Sequence, residues 1–351
     1  MPTKNRCAWK EFLAGCLVIF LPALAAAEAG AQAQTAGTNP PRQWNFEATT
    51  ASALLRAWKP LRGKWKVVRE PEHPANRVLK QGDERSHPAC FLSRGTYTNF
   101  SFSVRVRTDT FEQQSRNWQL GILFRRRSPD HLYKLRLSTA NVALIRMSPG
   151  ALEIVTGGRS NSRTAGGART GKAQPQEQLL LFLPLNVKRD SWHTLGVQCL
   201  GEGLTVDLDG KALKTLADPG VGSGAVGLYS MNTRAFFDDV RLDAKPVPEL
   251  GPGLTVEPKL FRPVRDRELL VYYRLPEDTP LTLRVLEPDG KVFNLLTKGF
   301  HSAGINSVVW DGRGLTGRIP ETGTYTFDLE FGGRSLQTQA RVENDIEGKE
   351  Y

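Results

Sequence analysis

Cysteine is scarce in this chain. Four occur in 351 residues, and two of them, Cys7 and Cys16, fall in an N-terminal segment that reads as a leader. Cys90 and Cys199 remain; in an exported protein they either pair or stay as buried free thiols. Cys199 shares the parity of Leu195 and Val197 and is expected to point into a core. Histidine is also sparse. His73, His87, His131, His193 and His301 are widely scattered, with no His-x-x-Glu-His or Cys-x-x-Cys grouping, so no zinc site is legible. A G-x-S-x-G nucleophile elbow is missing as well. Beyond the leader there is no apolar run of the roughly 20 residues that a membrane helix needs.

The leader itself is distinctive. "MPTKNRCAWK" is basic, "FLAGCLVIFLPALAAA" is apolar, and Ala25-Ala26-Ala27 offers an A-x-A cleavage site. Residues 1–27 therefore read as a secretory signal peptide cleaved after Ala27. "LAGC" at 13–16 looks like a lipoprotein box, but such a box should follow the apolar stretch, and here most of that stretch comes after Cys16. Residues 28–43 read as a low-complexity linker. Charge is uneven: residues 44–245 hold 30 Lys+Arg against 18 Asp+Glu, whereas 246–351 hold 13 against 16. Export makes nucleic acid an unsuitable partner for the basic part. An acidic polysaccharide or a lipid head-group surface suits that field better, with solubility alone as the plainer explanation.

From Trp44 the pattern is short alternating segments divided by turns such as "SPDH", "SPGA" and "LDGK". Eleven of them, from "GKWKVVRE" to "FFDDVRLDA", with no convincing helix, predict an all-β antiparallel sandwich or jelly roll over 44–245. The polar stretch 157–178 breaks the rhythm and is expected to be a mobile loop. Gly166, Gly171 and Lys172 there approach a phosphate loop, but Ala173 stands where Mg²⁺ needs Ser or Thr, and no helix follows. A Pro/Gly-rich linker covers 246–253. A second set of about seven strands over 254–340 predicts an Ig-like sandwich, and 341–351 reads as a frayed acidic tail.

Candidate chemistry is thin. Glycosidases need two carboxylates about 5–9.5 Å apart, yet no E-x-D-x-x-E strand exists; Glu153 stands alone, and Glu70 and Glu72 flank a proline. The hairpin "NWQLGILFRRRSPDHLYKLRL" carries more. By period two, Trp118, Leu120, Ile122 and Phe124 face the core with Tyr133, Leu135 and Leu137. Gln119, Leu123, Arg125, Lys134 and Arg136 then face outward, where arginine and glutamine can meet sugar hydroxyls or carboxylates. Trp192 also points outward by parity and is a candidate for stacking on a sugar. His193 reads as a hydrogen-bonded interior histidine, and Asp311 as a turn-forming residue after Trp310. In "FFDDVRL", parity with Val240 and Leu242 sends Asp238 inward and Asp239 outward. A buried Asp238 needs backbone N–H groups, an arginine or a structural Ca²⁺.

The series "GKW…VLKQGD", "GILFR…HLYKLRL", "WHTLGV…GLTVDLDG", "GAVGLYS" and "AFFDDVRL" resembles the concanavalin A-like sandwich of family-16 glycoside hydrolase-like domains. These are also known as 3-keto-disaccharide hydrolase domains, and laminin-G-like modules share part of the pattern. "YYRLPEDTPLTLRVLEPDGKVFNLL" with "AGINSVVWDGRGLTGRIPETGTYTF" resembles the Ig-like domain of the flagellar hook-capping protein, which would act here as a spacer or docking piece. The resemblance implies a bacterial envelope protein, periplasmic or extracellular. It would bind an oligosaccharide or polysaccharide on the concave face of the large sandwich. A glycoside hydrolase of an oligosaccharide or 3-keto-disaccharide, and a non-catalytic structural or adhesion module, remain as alternatives.

Overall fold

The computed structural model describes residues 41–84, 87–109, 117–149, 175–188, 190–250 and 253–344. The leader, the segment over 151–157 with Glu153, most of the polar stretch 157–178 and the last seven residues lie outside them.

Among the described residues the strands form four sheets. The first has the spatial order Lys211–Ala217, Gly203–Leu208, His193–Leu200, Phe100–Thr108, Ala235–Ala244, Arg77–Gln81, Trp65–Arg69, with Arg42–Trp44 added beside Ala235–Ala244. The second runs Gln176–Pro184, Asn141–Ser148, His131–Leu137, Gln119–Ser128, Ala225–Met231, Ala89–Leu92, Trp58–Arg62. Their facing sides share one core. Period-two alternation sends Phe102, Val104 and Val106 into it from the first sheet, and Leu120, Ile122, Phe124, Tyr133, Leu135 and Leu137 from the second. All-β sandwich architecture is thus what the alternation expected. One short helix, Ala51–Ala57, was not foreseen. Thr50 caps it, its hydroxyl accepting from the Ala53 N–H at 3.2 Å, and Leu54 anchors it.

Several strands escaped the sequence reading. Trp58–Arg62 contains Pro60, which suits its place at a sheet edge. Ala89–Leu92 is buried at all four positions and shows no alternation. Cys90 on this strand and Cys199 in the other sheet are both buried and unbridged. Burial pushes the Cys199 thiol up to about 11 and raises that of Cys90 as well.

The second sandwich packs a three-stranded sheet, Leu254–Glu257, Leu269–Leu275 and Gly304–Trp310, against a five-stranded one. The latter is ordered Leu260–Phe261, Arg334–Val342, Gly323–Phe331, Thr279–Leu286, Val292–His301. Arg341 and Val342 pair in parallel with Leu260 and Phe261, and Val342 is fully buried. The last strand therefore runs to Val342, two residues past the expected boundary at 340. Trp310 sits in this core, its indole N–H donating to the Arg313 carbonyl at 2.9 Å. Asp311 accepts from the Arg313 N–H at 2.9 Å, the turn role expected for it.

A buried polar hub joins the two sandwiches. Asn99 donates to the Tyr272 hydroxyl at 3.1 Å and accepts from Ser307 at 3.0 Å and from the Gly201 N–H at 2.8 Å. Nearby, His301 is buried. Its Nδ1 lies 2.8 Å from the Tyr273 hydroxyl, and its Nε2 lies 3.2 Å from Thr297 and 3.5 Å from Glu202. Burial pulls the His301 pKa down to about 4 and raises that of Glu202. No helix among the described residues is long and apolar enough to cross a membrane.

Candidate functional site

The outer face of an antiparallel sheet is normally polar. On the seven-stranded sheet it is not. Ala89, Phe91, Leu123, Leu132 and Tyr229 form an apolar cluster separate from the core, with Met147 and Ala225 against it. This cluster floors a groove of about 570 Å³. Gln119, Lys134 and Arg136 line the groove, as the hairpin pattern placed them, joined by Arg62, Arg126 and Glu177.

Arg125 does not join them. It is 1% exposed and donates to the carbonyls of Gly201 at 2.7 Å, Thr98 at 2.8 Å and Val221 at 3.1 Å. The cause is a bulge. Pairing with His131–Leu137 slips between Phe124 and Ser128, and pairing with Ala225–Met231 slips between Ala225 and Gly227. Arg125 takes φ +47° there, so strict alternation ends at Phe124 and the side chain turns inward. The outward position passes to Arg126. Its guanidinium lies 4.6 Å from the Phe91 ring centroid, and partial burial lowers its pKa. Among the described residues no carboxylate pairs with it. Lys134, by contrast, stands 3.5 Å from Glu177, and Arg136 donates to the Asn141 side-chain oxygen at 3.1 Å.

Tyr229 went unnoticed in the sequence. Leu228 is a core residue, so the same alternation places Tyr229 outward. It is 5% exposed, and its hydroxyl has no hydrogen-bond partner among the described residues. Burial raises its pKa, against the charge of Arg136.

Trp192 belongs to a different place. It precedes His193–Leu200 on the other sheet, with Arg105 4.8 Å and Arg107 5.3 Å from its ring centroid. Its indole N–H donates to Glu70 at 2.8 Å. Cationic neighbours and a committed N–H make it a clamp over the 70–76 turn and leave it outside the groove. His193 is half-buried, with Nδ1 2.9 Å from Asp209 and Nε2 3.4 Å from the Lys188 carbonyl. Both ring nitrogens are therefore engaged away from any serine.

Of the adjacent aspartates, Asp239 faces outward as expected, whereas Asp238 departs from its expected inward direction. Phe237 and Val240 are core residues, and pairing with Phe100–Thr108 slips between Asp238 and Arg241. With Asp239 at φ +44°, this bulge puts both carboxylates on the outer side. Arg105 lies 2.9 Å from Asp239 and 3.9 Å from Asp238. Asp238 accepts from the Asp239 N–H at 2.8 Å and from Asn76 at 3.2 Å. Burial pushes its pKa up to about 6, despite these donors. Glu70 shares Asn76 as a donor, at 2.8 Å. Burial alone would raise its carboxyl, but the bonds from Asn76 and Trp192 and the charges of Arg107 and His73 leave it lowered. Such a divergent pair resembles an acid–base couple, yet each residue is only 2% exposed, which closes them to a substrate. No group of three or more His, Cys, Asp or Glu among the described residues is placed to hold a metal ion.

No family model and no curated protein matches the sequence. Solved structures show partial likeness. The carbohydrate-binding module CBM66 from Bacillus subtilis has a TM-score of 0.39 at 12% identity, covering 54% of this chain and 96% of its own. A family-16 glycoside hydrolase of the mixed-linkage glucan locus of Bacteroides ovatus, in complex with a G4G4G3G product, has 0.38 at 9%, covering 57% and 99%. A protein of unknown function with a galectin-like fold from Bacillus subtilis has 0.35 at 10%, covering 59% and 97%.

Proposed function

We propose that the chain is an exported carbohydrate-binding protein of the bacterial envelope, periplasmic or at the cell surface. The groove on the seven-stranded sheet would take a stretch of oligosaccharide or polysaccharide. One observation carries this: an apolar, partly aromatic floor opens outward beneath a rim of hydrogen-bonding and cationic side chains. Sugar rings present apolar faces to such a floor and hydroxyls to such a rim. Among the described residues four lining cations, Arg62, Arg126, Lys134 and Arg136, stand against one lining carboxylate, Glu177, which favours an acidic chain over a neutral one. The leader-like segment 1–27 supports export.

Hydrolysis is less well supported. Two carboxylates are required, and among the described residues the groove has only Glu177, which is paired with Lys134. The second sandwich, with its hook-capping-like pattern, fits a docking module joined to the large sandwich by the Asn99 hydrogen bonds. A glycan array with the intact chain tests the reading. Retention without turnover, lost in the Arg126→Ala/Lys134→Ala double variant, is the expected result. Retention unaffected by that variant, or release of a shortened product, would oppose it.

A further inference from the structure

Residues 51–69 build one side of the large sandwich. Trp58–Arg62 ends the seven-stranded sheet, and Trp65–Arg69 ends the other. Gly63 and Lys64 are the only residues between them, and the helix Ala51–Ala57 packs against both strands. The two sheet edges and the helix therefore lie side by side.

This side is cationic. Arg56, Lys59, Arg62, Lys64, Lys66 and Arg69 are all exposed, and 51–69 contains no Asp or Glu. Among the described residues none of these six side chains has an ion-pair or hydrogen-bond partner. The flanking carboxylates do little to offset them. Glu70 is 2% exposed, Glu84 is held by Arg234 at 3.0 Å, and Asp83 is half-buried. Two large apolar side chains stand among the cations: Leu55 is 61% exposed and Leu61 50%. Lysine on a terminal strand keeps sheets from pairing edge to edge, but that task gives no reason to expose leucine. A soluble polyanion would answer the charge and leave the leucines in water. An anionic lipid surface answers both, since head groups neutralise the cations and leucine enters the interface.

We propose that the side formed by 51–69 docks on an anionic lipid surface, with Leu55 inserted among head groups that Arg56, Lys59, Lys64 and Lys66 contact. Each cation near such a surface is worth roughly fivefold in binding. The attraction fades beyond a Debye length of about 8 Å at physiological salt. This docking does not depend on the groove being a glycan site, although Leu61 and Arg62 also line the groove.

The test is sedimentation of the full chain with vesicles of phosphatidylcholine, alone or mixed with an equal part of phosphatidylglycerol. Residues 1–27 are common to every variant, so differences between variants report on this side. The expected result is stronger retention on the anionic vesicles, reversed by high salt. Lys59→Gln/Lys64→Gln/Lys66→Gln should weaken that retention roughly 100-fold, and Leu55→Ser about tenfold. Melting temperatures should not change, because all four side chains are exposed. Glycan affinity should not change either, since none of the four lines the groove. Failure of the parent to sediment with anionic vesicles, or equal retention of the parent and the triple variant, would overturn the proposal. So would full retention of Leu55→Ser, which together with tight binding of soluble polygalacturonate would mark a polyanion site instead.

Discussion

Replacing Arg125 by methionine separates a framework role from a ligand-contacting one. The stem of the side chain is kept, while the donors to Gly201, Thr98 and Val221 are lost. Each buried carbonyl deprived of its donor costs about 1–3 kcal/mol. Relief from holding a guanidinium at 1% exposure offsets part of that sum. A net loss of roughly 2–4 kcal/mol follows, or about 5–15 °C in melting temperature for a domain of this size. The bulge at φ +47° also loses its anchor, and with it the outward turn of Arg126. Urea denaturation at fixed pH and ionic strength is the assay. An unchanged midpoint, together with weakened glycan binding, would refute the reasoning and return Arg125 to the groove.

Trp192→Phe should lower stability by about 1–2 kcal/mol through loss of the Glu70 hydrogen bond and part of the arginine stacking, with glycan affinity unchanged. His301 is neutral in the fold down to about pH 4, while an unfolded histidine charges near 6.5. The unfolded state binds the extra proton in that window, so this residue's stability contribution falls as pH drops from about 6.5 to 4, by about 3 kcal/mol in all. Asp238 acts in the opposite sense. Its carboxyl titrates at about 6 in the fold and near 3.9 unfolded, so the fold gains about 3 kcal/mol as pH falls through that range. Urea midpoints of His301→Gln and Asp238→Asn against the parent at pH 7 and pH 4.5 should therefore shift in opposite directions. Glu177→Gln should tighten binding of acidic glycans by freeing Lys134, which calorimetric titration reads. Cys90 and Cys199 should resist a thiol reagent in the native protein and both react once it is denatured.

Much of the fold is legible wherever alternation holds. Period two placed Leu120, Ile122, Phe124, Tyr133, Leu135 and Leu137 in the core and Gln119, Lys134 and Arg136 on the groove side, because a half-buried strand writes its faces into the sequence. Two bulges mark where that logic stops. Arg125 and Asp239 adopt positive φ; aspartate tolerates that region but arginine rarely does, and parity carried across either bulge inverts, as it did for Arg125 and for Asp238. Trp192 failed for another reason. Its partner, Glu70, lies 122 positions away, and no local pattern carries such a contact. Tyr229 could have been found, since "GAVGLYSM" alternates cleanly around Leu228. That its hydroxyl has no partner among the described residues depends on the neighbours that the sheet assembles.

The central claim is that glycan lies on the outer face of the seven-stranded sheet. A crystal structure of the chain soaked with an oligosaccharide retained on the array tests it most directly. Sugar rings packed over Phe91 and Leu123, with polar contacts from Arg126, Lys134 and Arg136, are the predicted result. Sugar bound instead on the opposite sheet, beside Trp192 and Arg105, would contradict the account.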